Sequence, residues 1–89
     1  MNNKIYKIEN NEVIVAKTST EFVTKLRTGS YFDYNCSNTV YKIKFAQRYK
    51  VVSGNKINCD LKDDDAFVAE LLKYGFIKSI LEYPYICMN

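Results

Sequence analysis

Lys42, Lys44, Arg48 and Lys50 stand at even positions in a stretch whose odd positions carry Tyr41, Ile43, Phe45 and Tyr49. Read with a period of two, the alternation stacks four positive charges on the outward face of a strand, a surface able to hold phosphates. Nucleic acid is the ligand class such a face implies. The same alternation turns Tyr41 and Tyr49 inward, away from the cations, so neither ring is placed to stack on a base. A solvated face that discourages edge pairing explains the charges better, and a net charge of +3 is slight for a nucleic-acid binder.

The acidic run Asp60, Asp63, Asp64 and Asp65 is the second candidate. Calcium loops require oxygen ligands at alternate positions with a glycine at the sixth, and that pattern is absent. Capping and first-turn placement at a helix start account for the aspartates, because the positive end of the helix dipole favours them there. Thr18-Ser19-Thr20 opens another helix without such charge, and a phosphate or sulfate is conceivable at that N-terminus.

Aromatic residues supply the third candidate. Eight tyrosines and five phenylalanines in 89 residues are more rings than so small a core is expected to enclose. The expected surface rings are Tyr31, Phe32, Tyr34, Tyr83 and Tyr85. They form a candidate partner-binding set, since aromatic residues are enriched at protein interfaces.

Enzyme chemistry has little support. The chain contains no histidine to act as a base. It has no Gly-rich phosphate loop and no GxSxG, and its cysteines have no obvious activating neighbours. Cys36, Cys59 and Cys87 form no close pair and are odd in number, which argues for reduced thiols rather than a disulfide framework. A zinc site would need all three plus a carboxylate, an uncommon ligand set. No metal and no cofactor are expected.

Composition places the chain among ordinary globular domains, with 47% hydrophobic and 26% charged residues. No run reaches the roughly 20 apolar residues of a membrane span, and the N-terminal stretch lacks the apolar core of a signal peptide. A soluble, cytoplasmic protein is expected. Asn, Lys, Ile, Tyr and Phe make 41 of the 89 residues, and Lys outnumbers Arg eleven to two. AT-rich codons produce this bias, which suggests a low-GC bacterium or one of its phages or mobile elements.

The elements follow from spacing. Residues 4–16 hold two β-prone stretches, IYKI and VIVA, around Glu9-Asn10-Asn11-Glu12, and asparagine tolerates the left-handed turn of a hairpin. Thr18-Ser19-Thr20-Glu21 has the form of a capping box, predicting a helix of about ten residues with Phe22, Val23 and Leu26 on one face and Gly29 at its end. Residues 31–34 read as a short strand and residues 39–45 as the clearest one, with Tyr41, Ile43 and Phe45 turned inward. Strand character resumes over 48–52, and Ser53-Gly54-Asn55 turns it into a second hairpin ending at Cys59. Asp63 caps a second helix with Phe67, Leu71 and Tyr74 as its apolar stripe. Gly75 supplies a left-handed exit into a closing strand over 76–82, and Pro84 confines the remainder to an edge or tail.

A shift of 45 residues superposes Thr18 on Asp63, Phe22 on Phe67, Val23 on Val68 and Leu26 on Leu71. Tyr6-Lys7-Ile8 matches Tyr49-Lys50-Val51 at a shift of 43. Residues 4–34 and 47–82 then read as two hairpin, helix and strand halves of one domain spanning 1–89. Leu72 stands where the first helix has Arg27, which makes the second helix the core anchor and the first the more superficial. The expected fold is α+β: a small mixed or antiparallel sheet with two short helices packed on one face.

The functional expectation is a non-enzymatic protein-binding module, in concrete form a phage or mobile-element inhibitor of a host factor such as an anti-CRISPR-type inhibitor. Nucleic-acid binding through the basic face and a structural, homo-oligomeric role in a virion are the alternatives. On this core assignment, Leu71→Ala costs about 2 to 5 kcal/mol. An unchanged midpoint of thermal unfolding contradicts it.

Overall fold

The computed structural model describes residues 4–30 and 33–80. Two strands, β1 (Lys4–Ile8) and β2 (Val13–Ala16), lead into helix α1 (Ser19–Thr28). Helices α2 (Asn38–Ser53) and α3 (Asp64–Lys73) follow, and β3 (Ile77–Ile80) closes the described chain. The α+β class stands, with an antiparallel sheet ordered β2-β1-β3 and three helices rather than two.

The hairpin turns as its asparagines suggest. Asn11 adopts φ 73°, its N–H donates to the Ile8 carbonyl, and the Ile8 N–H donates to the Glu12 carbonyl. This is the left-handed residue of a short bulged hairpin loop. The register pairs Ile5 with both Val15 and Ile80, so inward and outward residues alternate across all three strands. Tyr6, Ile8, Ala16 and Ile77 are buried under the helices. Ile5, Lys7, Val13, Val15, Lys78 and Ile80 share the other face, and none of them is buried.

Helices α1 and α3 match at the offset of 45, each ten residues long. The Thr18 hydroxyl accepts from the Glu21 N–H and the Asp63 carboxylate from the Ala66 N–H. Glu21 reaches back to the Lys17 N–H at 2.5 Å, one residue before the cap that a strict capping box would choose. Phe22 and Val23 are as deeply enclosed as Phe67 and Leu71. The expectation that α1 lies nearer the surface is therefore overturned. α1 packs on β2 and touches both α2 and α3, whereas Leu72, expected to anchor the core, is exposed.

The larger correction concerns residues 38–59. In place of a strand and second hairpin, a 16-residue helix runs from Asn38 to Ser53, and residues 54–59 continue without regular structure. The Ser37 hydroxyl caps it by accepting from the Val40 N–H at 3.1 Å, and Gly54 ends it at φ 78°. Tyr41, Phe45 and Tyr49 recur every four residues and make one helical stripe. Tyr41 and Tyr49 are buried, and the Phe45 ring lies 5.0 to 6.1 Å from those of Tyr41, Tyr49, Phe67 and Phe76. Ile43, expected to point inward, is 42% exposed. The alternation arose because apolar residues occupy two opposite faces of one helix. The second half therefore begins with a helix where the first begins with a hairpin, and among the described residues the two halves correspond in α1 and α3. Strand character over 31–34 is not seen at Asp33 and Tyr34, which lie in a turn, and residues 31 and 32 are outside the described residues.

α3 closes as the placement of Gly75 requires. The Phe76 N–H donates to the Leu71 carbonyl, the Gly75 N–H donates to Leu72, and Gly75 holds φ 79°. This is a Schellman ending. An added Cβ would meet no atom within 4 Å, so the barrier to substitution is the backbone conformation itself. Gly75→Ala is expected to cost about 1 to 2 kcal/mol, which lowers the melting midpoint by several degrees in a calorimetric scan. An unchanged midpoint contradicts the left-handed exit.

Candidate functional site

The four cations proposed to share one face do not. Helical geometry distributes Lys42, Lys44, Arg48 and Lys50 around α2 instead of aligning them. Lys42 is 2% exposed and pairs with Asp64 Oδ1. Arg48 Nη2 pairs with Asp33 Oδ2, and Lys44 Nζ lies 3.8 Å from the other oxygen of the same carboxylate. Asp33 is itself buried, so one enclosed charge holds two partly exposed cations. Lys50 forms no ion pair among the described residues.

Asp64 joins all three helices. It sits in the first turn of α3, receives Lys42 from α2 and accepts the Thr20 hydroxyl of α1 at 2.6 Å. Burial pulls its carboxyl pKa upward, but the hydrogen bonds from Lys42 and Thr20 outweigh that, and the net value lies below the ordinary one. A second polar network fixes the start of α2. Arg27 Nε donates to Asn38 Oδ1 at 2.7 Å, Asn38 Nδ2 donates to Thr24 Oγ1 at 2.8 Å, and Arg27 Nη1 reaches the Tyr34 carbonyl.

These contacts set the rotation of α2 and decide what it presents outward. At 3.6 residues per turn, Val40, Ile43, Gln47 and Val51 fall within an arc of about 80°. Lys44 and Arg48 border the arc on one side and Lys50 on the other. Val40 and Ile43 are 41% and 42% exposed, and Val51 and Val52 are each 85% exposed. Val52 also rims a groove of about 440 Å³ shared with Phe45, Tyr49, Phe76, Arg48 and Glu9. Sequence reasoning singled out none of these valines. For Val40 and Val51 the available signal was a second stripe at helical spacing opposite Tyr41, Phe45 and Tyr49, visible only once the period is taken as 3.6, whereas Val52 falls on the aromatic side.

Of the proposed aromatic set, Tyr34 is 54% exposed on the connection between α1 and α2. Tyr31, Phe32, Tyr83 and Tyr85 lie outside the described residues, as does Pro84. The remaining described rings are buried or half-buried, so the exposed apolar surface of the described residues is mainly aliphatic. Thr18, Ser19 and Thr20 share one recess with Asp60, Asp63, Asp64 and Asp65. Those carboxylates make the α1 N-terminus unfavourable for an anion. Among the described residues, no group of three His, Cys, Asp or Glu side chains is placed to hold a metal ion, and no helix is long and apolar enough to cross a membrane. Cys36 and Cys59 are free thiols, and burial pushes the Cys59 pKa up, away from the nucleophilic thiolate.

Comparison with protein-family models, curated proteins and solved structures finds no match to this chain.

The Lys42–Asp64 pair has an asymmetry that mutation can read. Asp64→Ala strands a fully enclosed ammonium and is expected to cost about 3 kcal/mol. Lys42→Met costs less, because Asp64 keeps the Thr20 hydroxyl, the α3 dipole and some solvent. Since the folded-state pKa of Asp64 is depressed, its contribution is complete above about pH 4 and is lost as pH falls through the folded value. Urea titrations between pH 2 and 7 should show this acid limb weakened in Asp64→Ala. Equal costs for the two variants contradict the assignment.

Proposed function

We propose that this chain is a protein-binding module whose contact surface is the outward face of α2. The exposure of Val51, 85%, on the same arc as the exposed Val40 and Ile43, carries the reading. Val40, Ile43 and Val51, β-branched aliphatic residues left in water along one helix face, have the character of an interaction patch rather than of scattered surface apolars. Beside this face, past Arg48, the groove rimmed by Val52 supplies depth for an inserted side chain, and the flanking cations supply the polar rim.

The reading is non-enzymatic. A chain without histidine, whose buried Lys42 and Asp33 are engaged in ion pairs, offers no evident acid-base pair for catalysis. Nucleic-acid binding has weaker support than protein binding. Lys42 is enclosed, Lys44 and Arg48 share Asp33, and the arc separating them from Lys50 is mainly valine and isoleucine, which offer nothing to phosphate. The AT-rich composition favours a phage or mobile-element origin in a low-GC bacterium. There the module would act as an inhibitor of a host factor, with anti-CRISPR inhibition as one concrete form.

A photo-crosslinking residue at Gln47 tests the surface, with the same residue at exposed Lys62 as control. In cells that naturally make the protein, position 47 is expected to give a discrete adduct with a second protein, lost with Ile43→Asp plus Val51→Asp, while position 62 gives none. No adduct, or equal adducts from both positions, overturns the proposal.

A further inference from the structure

We infer that the partner's contact element is an acidic amphipathic helix, an inference that rests on the reading of α2 as the binding face. Residues 38–53 contain four cations and no carboxylate, and even the first turn of α2, where the dipole favours acids, has none. Asp33 answers Lys44 and Arg48 with a single charge, and Lys50 has no ionic partner among the described residues. The apolar arc is thus bordered by cations on both sides and by no carboxylate of α2 itself, Glu9 lying across the groove beside Arg48.

Shape points to a helix as the occupant. From Val40 to Val51 the stripe runs about 16 Å along α2, three helical turns. A straight ridge of that length, apolar but for Gln47, matches a partner helix laid along it, with positions i, i+3, i+7 and i+11 meeting Val40, Ile43, Gln47 and Val51. In such a pair the residues flanking the seam face the flanking residues of the other helix, so Lys44, Arg48 and Lys50 select glutamate or aspartate there.

The same charges disfavour the other occupants. A second copy of this chain would set lysine and arginine borders against each other. Helices that lie in a membrane interface use large apolar residues such as Trp, Phe and Leu. The α2 stripe offers only valine, isoleucine and glutamine.

The test uses the full chain and two designed 21-residue helical peptides with the same Leu and Ile seam, one flanked by Glu and the other by Lys. The Glu-flanked peptide is expected to bind at least tenfold more tightly in fluorescence anisotropy. Amide shifts should be centred on Val40, Ile43, Gln47 and Val51. Lys50→Glu, at an exposed position that leaves the Asp33 and Asp64 pairs intact, should reduce the preference at least threefold by weakening the first peptide and strengthening the second. Equal or reversed preference overturns the inference, as does failure of both peptides to bind. It is overturned as well by a dimer in sedimentation equilibrium that Ile43→Asp dissolves, or by binding to phosphatidylserine vesicles through the same stripe. If a protein adduct at position 47 persists in any of those cases, the partner chemistry alone is wrong. If it is absent, the binding face itself is wrong.

Discussion

A helix with apolar side chains on two opposite faces can bury only one of them against its own chain, and its rotation selects which. In α2 the aromatic face wins, because Tyr41, Phe45 and Tyr49 bring more area than the valines and interlock with Phe67 and Phe76. Lys42 lies on the inward side too, and its ammonium would be prohibitive there without Asp64. The aromatic packing and the ion pair therefore demand the same rotation. Everything proposed for the outward face depends on that agreement.

The polar groups behave as locators. Asp64 collects one contact from each of the other two helices, and Asp33 ties the connection after α1 to the middle of α2. Buried ion pairs contribute little net stability compared with apolar replacements, but they penalise every arrangement that separates the partners. In a domain of this size, whose sheet has three short strands, that penalty helps hold α2 in one position. Lys25 adds a similar constraint at the sheet edge, where its Nζ donates to the Val15 carbonyl at 2.6 Å and occupies a backbone acceptor that another strand would need.

The parts of the fold legible in advance were those governed by local chemistry. Asn10-Asn11 marked the hairpin, Thr18 and Asp63 marked the helix starts, and Gly75 marked a left-handed exit, each through a preference that acts within a few residues. The misreading of residues 39–52 had a physical cause. Tyr41, Ile43 and Phe45 are apolar at period two and Lys42 and Lys44 are charged between them, a pattern shared by a strand and by a helix with two apolar faces. β-branched residues at 40, 43, 51 and 52 strengthened the strand reading, while the four-residue spacing of Tyr41, Phe45 and Tyr49 and the Ser37 cap favoured the helix.

By itself the sequence determined the α+β class, the hairpin and the two matched helices at an offset of 45, because caps, turns and short apolar stripes act through neighbouring residues. Tertiary structure alone decided that residues 38–53 form a helix, that Lys42 turns inward while Ile43 and Val51 face solvent, and that Lys42, Lys44, Arg48 and Lys50 do not share one face. Those outcomes depend on Asp64, Asp33, Phe67 and Phe76, which lie up to 31 residues away along the chain from their α2 partners. No local propensity can report whether such partners will be present when the chain closes.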